Sequence, residues 1–238
     1  MNLQVSVVIP AYNEAGLLAE TLDEIVHGLR TRSSSFEVIV VENGSTDGTR
    51  ALAHDLATAS PEVSVRVLPR PDYGEALRTG ILAAAGAQVV IFDVDYYDLD
   101  FLDRALVALD APERPAVVVG SKRAPGTRDD RSASRRLITA AFANTLRLGF
   151  GLQVSDTHGM KALDRVAVAP IARRCRNGRD LFDTELILRA DRAGLTVTEL
   201  SVTVVERRPS RTPIARRAAR TILGLARLRV LLWREHRS

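Results

Sequence analysis

Short apolar runs alternate with amphipathic stretches through the first half of the chain. Residues 5–9, 37–41, 63–68, 88–92 and 116–120 are rich in Val and Ile, the composition of buried strands. Between them, residues 17–29, 49–57 and 74–84 carry their apolar positions at helical spacing. This alternation predicts an α/β fold, a mostly parallel central sheet with helices on both faces. After Gly120 the pattern loosens. Residues 124–134 form a loop rich in Pro, Gly, Arg and Asp, without apolar periodicity and longer than most connections, of the kind that serves as a functional lid. Helices are expected at 134–148 and 181–193, a strand at 197–206 and a last helix from Pro213. The expected organisation is one domain over 1–212, with a mobile loop near 124–134, and a basic amphipathic helix over 213–238.

Three of the apolar runs end in polar loops. Val8-Ile9 runs into Pro10-Ala11-Tyr12-Asn13-Glu14, Val41 into Glu42-Asn43-Gly44-Ser45-Thr46-Asp47-Gly48-Thr49, and Phe92 into Asp93-Val94-Asp95. In an open α/β sheet the exits of parallel strands gather at one edge, where ligands bind. Asn13 or Thr46 is placed to cap the helix that follows its loop. Asp93 and Asp95 sit one residue apart, so an extended segment turns both carboxylates to one face, where they reach a hard divalent cation. An isolated Asp-x-Asp is most often a plain polar strand end, but three polar exits in succession make a site. No Gly-x-Gly-x-x-Gly follows the first run, which argues against a dinucleotide-binding domain.

Composition narrows the picture. The chain has 238 residues, 46% of them hydrophobic, enough for one compact core. The single Cys175 forms no internal disulfide and reads as a small buried residue. The start shows no signal-peptide pattern, and no run reaches the roughly 20 apolar residues of a membrane span. The expected location is the cytoplasm, extending to the inner face of the cell membrane. The net charge is +4, and because Lys122 and Lys161 are the only lysines, nearly all positive charge is arginine, whose planar fork matches phosphate oxygens. The acidic stretch 93–103 and the lack of aromatic-interleaved basic strands argue against nucleic acid as a partner.

Four segments in register carry a resemblance to a known family: Val8 to Glu14, Val41 to Thr49, Tyr73-Gly74-Glu75-Ala76-Leu77-Arg78-Thr79-Gly80, and the Asp93/Asp95 pair. The chain resembles glycosyltransferase family 2, and more closely its dolichol-phosphate mannose synthase and polyprenyl-phosphate sugar transferase branch. The resemblance implies a GT-A-type nucleotide-sugar-binding domain. It also implies an inverting, metal-dependent transfer of a hexose from a nucleotide-diphosphate sugar to a polyprenyl phosphate. Pro10, Tyr12, Glu14, Glu42, Gly74, Arg78 and Asp93 would then meet the donor nucleotide, with Tyr12 open to a packing role and Arg78 to a surface one. Asp93 and Asp95 would hold Mg²⁺ or Mn²⁺, and Asp95 and Asp183 would serve the chemistry. Lys122, Arg123, Arg135 and Arg136 match the cations that hold acceptor phosphate and donor diphosphate.

The match is imperfect. Glu42 and Asn43 stand where the family usually has Asp, and Tyr97 stands where its metal loop commonly has Gln. Either Asp98 substitutes as a ligand, or two carboxylates with diphosphate and water suffice. Asp156-Thr157-His158-Gly159-Met160-Lys161 is one residue shorter than the family segment it resembles. Asp183 would orient a phosphate acceptor or take the proton of a hydroxyl one, and it also suits a helix N-terminus. The alternatives are a soluble transferase acting on a small hydroxylated acceptor and a non-catalytic sugar-nucleotide-binding homologue. In the last helix Ile214, Ala218, Ile222, Leu225, Leu228 and Leu232 share one face while Arg216, Arg220, Arg227 and Arg234 share the other, so the helix either lies on an anionic leaflet or packs on the domain.

Overall fold

A computed structural model describes residues 4–32, 35–121, 124, 128–129, 133–152, 154, 156–178, 181–204 and 214–235. The side chains of 128–129, 133–139, 204, 214–220 and 222 are outside that description. Seven strands form one sheet in the order β3-β2-β1-β4-β7-β5-β8. They are β1 (Val5–Ala11), β2 (Phe36–Asn43), β3 (Val63–Leu68), β4 (Gln88–Ile91), β5 (Val117–Ser121), β7 (Lys161–Asp164) and β8 (Val197–Ser201). All neighbouring pairs are parallel except those of β7, which runs antiparallel between β4 and β5. A parallel two-residue ladder joins β6 (Arg128–Asp129) to β9 (Thr203–Val204). The expected strand at 197–206 is therefore interrupted at buried Val202, and residues 205–206 lie outside the described residues.

The helices are α1 (Leu18–Arg32), α2 (Thr49–Ala59), α3 (Tyr73–Ala83), α4 (Leu99–Leu109), α5 (Ala133–Phe150), α6 (Arg165–Arg174), α7 (Phe182–Arg192) and α8 (Ile214–Glu235). Period-two alternation of the strands sorts the core into two halves. Val8, Ile39, Val41, Val89, Ile91, Val119 and Leu163 face one side with buried residues of α3, α6, α7 and α8. Val7, Ile9, Val38, Val40, Val90, Phe92 and Ala162 face the other with α1 and α4. Cover on both faces explains why the strands read as nearly continuous apolar runs.

The last helix packs on the domain. Leu225, Leu228 and Leu232 join the cluster that holds Leu181, Leu186 and Ile187, as their shared face in the sequence requires. Cys175 is buried as expected. Its thiol donates to the Ile171 carbonyl at 3.4 Å, and burial pushes its pKa up to about 12. The expected caps are corrected. Asn13 adopts a left-handed φ of 55° and its Oδ1 accepts from Thr46 N–H at 2.8 Å, tying the two loops together. The N-cap of α2 is Gly48, while the Asp47 carboxylate accepts from Thr49 N–H at 2.9 Å.

Candidate active site

The exits of β1, β2 and β4 come side by side because these strands are parallel and adjacent. Pro10 lies within β1, paired with Val41 in register, and Tyr12 just beyond is partly exposed. Glu14 N–H donates to Thr49 Oγ1 at 2.8 Å, and Asn13 N–H to Ser45 Oγ at 3.0 Å, so the first loop is stitched to the second. Alternation sends Glu42 and Asn43 to opposite sides of the sheet. Glu42 is fully buried; its oxygens accept from Ser45 N–H at 2.5 Å and from Arg50 Nε at 3.0 Å, on the α2 side. Asn43 Oδ1 accepts from Asp72 N–H at 2.7 Å, on the α3 side. Both therefore brace the loop.

Beyond β4 the chain makes a tight turn in which Asp93 and Tyr96 exchange backbone hydrogen bonds of 3.1 Å each way. The turn sets Asp93 on the α3 side, where Tyr73, the first residue of α3, donates its hydroxyl to Asp93 Oδ1 at 2.9 Å. Asp93 keeps some surface, yet enough protein surrounds its carboxyl to raise the pKa to about 6. Lost hydration is the largest cause, opposed by the Tyr73 hydrogen bond; the Asp183 charge adds to the rise, Lys161 counters it, and Asp95 adds again. These named influences define the cluster: three carboxylates, one phenol and one ammonium.

Asp183 and Lys161 form its floor. Asp183 lies in the first turn of α7, nearly buried at 4% exposure, and its Oδ1 is 3.0 Å from Lys161 Nζ. That contact is an ion pair whose angles do not make a hydrogen bond, so Oδ1 is a buried oxygen with no hydrogen-bond partner among the described residues. Lys161 Nζ instead donates to the Gly159 carbonyl at 2.7 Å. β7 delivers this lysine: its antiparallel register places Lys161 opposite Ile91 of β4 and Val119 of β5 at once. Beside Asp183, the hydroxyls of Thr157 and Thr184 lie 3.0 Å apart.

Other expected site residues stand further off or do different work. Gly74 faces the stretch before α7, where a Cβ would lie 2.7 Å from Gly178 Cα and from Phe182 Cβ. Arg78 pairs with Glu75 at 2.9 Å, one turn back. Arg135 and Arg136 lie in the first turn of α5 by backbone, with side chains outside the described residues, as are Lys122 and Arg123 altogether. Most of the expected lid at 124–134 also lies outside them. Tyr97 turns away to donate its hydroxyl to Glu24. Asp98 caps α4, its Oδ1 accepting from Asp100 and Phe101 N–H at 2.9 and 3.1 Å.

The donor set suits a hard dication. Asp93 and Asp95 offer oxygen only, and the raised Asp93 pKa means that the bare site penalises negative charge which a cation would neutralise. Among the described residues no third His, Cys, Asp or Glu completes a ready-made cage, so the remaining positions would fall to a bound phosphate and water. Tyr73 and Lys161 are the site residues that sequence reasoning missed. The signal available was that Lys161 is one of only two lysines.

The profile described as Glycosyl transferase family 2 matches residues 6–169, which run from β1 through the carboxylate turn into α6. The chain belongs to this family. Glycosyltransferase AglD of Haloferax volcanii is 32% identical over 205 residues, covering 84% of this chain and 33% of its own length. Dolichyl-phosphate beta-glucosyltransferase of Drosophila melanogaster is 32% identical over 219 residues, covering 84% of this chain and 67% of its own. The family 2 chain thus spans about a third of the first of these relatives and two thirds of the second. Among solved structures, glucosyl-3-phosphoglycerate synthase from Mycobacterium tuberculosis, in complex with Mn²⁺, uridine-diphosphate-glucose and phosphoglyceric acid, superposes with a TM-score of 0.70 at 23% identity. The match covers 95% of this chain and 79% of that one, so the architecture is that of the GT-A glycosyltransferases.

Proposed function

We propose that this family 2 chain transfers a hexose from a nucleotide-diphosphate sugar to a polyprenyl phosphate, with inversion, using Mg²⁺ or Mn²⁺ held by Asp93 and Asp95. The observation that carries the proposal is the Asp93 carboxyl at the exit of β4, held by the Tyr73 hydroxyl, with Asp95 two residues on and the buried Lys161–Asp183 pair close enough to act on its charge. The name of the Drosophila relative, a dolichyl-phosphate glucosyltransferase, favours a lipid-phosphate acceptor. A bound divalent cation would supply charge neutralisation for the departing diphosphate.

The protein's own groups do the rest. Tyr73 fixes the Asp93 carboxylate by hydrogen bond, and Lys161 pairs with Asp183 at 3.0 Å where both side chains are buried. An acceptor phosphate oxygen attacks the anomeric carbon as the bond to the diphosphate oxygen breaks, and the nucleotide diphosphate leaves with the electron pair. Such an acceptor arrives ionised and needs no base, so Asp183 orients it. Arg135 and Arg136 at the start of α5, with Lys122 and Arg123 after β5, are the cations we assign to the two phosphates, which repel each other until screened. Pro10, Tyr12, Glu14 and Arg78 are assigned to the nucleotide side, and Glu42 and Gly74 to holding that side in shape.

A small hydroxylated acceptor is the second reading, favoured by the phosphoglyceric acid in the mycobacterial neighbour. Asp183, with its buried Oδ1, would then accept the hydroxyl proton. The test is turnover of a panel of nucleotide sugars with Mn²⁺ on a short-chain polyprenyl phosphate and, in parallel, on phosphoglycerate. Transfer to the lipid phosphate with an inverted anomeric centre is expected. Transfer to phosphoglycerate alone replaces this reading with the second, and nucleotide binding without turnover on either leaves only a binding protein.

A further inference from the structure

The helical turn that carries Asp183 is tied to the far end of α8 by charges that the transfer reaction does not use. Glu185, two residues along α7, is fully buried. Its Oε2 accepts from the backbone N–H groups of Arg176 and Asn177 at 3.0 and 2.7 Å and from Asn177 Nδ2 at 2.7 Å. Its Oε1 accepts from Arg189 Nε at 2.7 Å. The two remaining nitrogens of that guanidinium grip Glu235, in the last turn of α8, at 2.6 and 3.1 Å. One guanidinium thus joins a carboxylate in the first turn of α7 to one at the end of α8.

The loop that Glu185 holds reaches the other side of the site. Gly178 packs so closely on Gly74 that a Cβ there would lie 2.7 Å from the Gly178 Cα. Gly74 follows Tyr73, the donor to Asp93. Buried ion pairs add little net stability compared with well-packed apolar groups, while losing one partner strands the other charge. A fork-to-fork pair does fix direction, because both hydrogen bonds must align together.

We infer that Glu235, Arg189 and Glu185 form a positioning relay that sets the angle of the first turn of α7, and with it the aim of Asp183 at the reacting groups. The end of the C-terminal helix then belongs to the support of the active site.

Two measurements test the relay, and only the kinetic one rests on the transferase reading. In Glu235→Gln the backbone amides of 176–185 should exchange with solvent faster by about tenfold or more, the weight of a lost charge-assisted hydrogen bond, while those of β1 and β2 keep their protection. In turnover, Glu235→Gln should lower kcat by about tenfold with donor KM nearly unchanged, and should have little further effect when added to Asp183→Asn, since coupled groups are non-additive. Should Glu235→Gln not fold, Glu235→Asp, which keeps the charge and shortens its reach, serves in the same comparison. Unchanged exchange over 176–185, or an equal fall in kcat with and without Asp183→Asn, overturns the relay. A wild-type chain that transfers no sugar sinks the transferase reading and leaves the exchange result to decide the relay.

Discussion

Asp93 is the residue whose environment makes the sharpest demand. Its folded pKa of about 6 lies above the ordinary value of 3.8, so the folded state keeps a proton that the unfolded state gives up. Stability from this group is therefore fully present below the unfolded value and is lost as pH rises from 3.8 to about 6. Melting temperatures of the metal-free protein, measured across that window, should fall for the wild type relative to Asp93→Asn; parallel profiles would show that the carboxyl is not strained. Asp95→Ala should remove Mn²⁺-dependent nucleotide binding in calorimetry while leaving the melting temperature nearly unchanged, because Asp95 is only partly buried. Asp183→Asn separates the acceptor classes: a modest loss with a lipid phosphate, and about 10²–10⁴-fold in rate if Asp183 is the base for a hydroxyl. At this scale the sequence made the carboxylates legible through their spacing and left their partners hidden. Tyr73 and Lys161 reach Asp93 and Asp183 across breaks of 20 and 22 residues, which no local pattern encodes.

Elements with a clear period were readable, with bounds within a few residues. α1, α2, α3 and the first five parallel-strand runs fall where apolar spacing put them. α4 escaped notice because acidic residues crowd its start: Asp98 caps it and Asp100 sits in its first turn, so the segment reads as an acidic loop. β7 is four residues with Lys and Asp at its ends, buried on both faces and so without alternation. α6 carries Pro170 in its interior, which breaks the helical signal. Packing between elements gives its own prediction at Gly74. Since a Cβ there would strike the backbone of Gly178, which cannot rotate aside, Gly74→Ala should lower the melting temperature and weaken nucleotide binding together. For α8, Leu228→Ala removes a fully buried side chain and should destabilise by about 2–5 kcal/mol in urea unfolding. A much smaller loss would mean that α8 is not held by its apolar face.

For the whole molecule, the arrangement of α8 answers one alternative and sharpens the other. The helix packs on the domain through Leu225, Leu228 and Leu232, yet Leu223, Val230 and Trp233 remain exposed beside Arg227 and Arg234. No helix among the described residues is long and apolar enough to cross a membrane. This outer stripe is the face that α8 would offer to a bilayer. Arg227→Gln with Arg234→Gln should weaken co-sedimentation with anionic vesicles at low salt, each charge being worth about 1 kcal/mol, and should spare turnover of a water-soluble acceptor. Wild-type protein that ignores such vesicles excludes the stripe as a membrane contact. The sheet order itself was only partly legible, because the parallel strands were foreseen and the reversed strand between β4 and β5 was not. That reversed strand has a consequence for biosynthesis. β4 is made early, but its partner on the far side arrives only with Lys161–Asp164, after roughly seventy more residues, a gap that follows from the register of Gln88–Ile91 against them. Until then a nascent chain carries an unpaired edge at Val89–Ile91, the kind that recruits other strands. A fragment ending at Leu109 should accordingly self-associate, whereas one extended through β8 pairs the far edges of both β4 and β5.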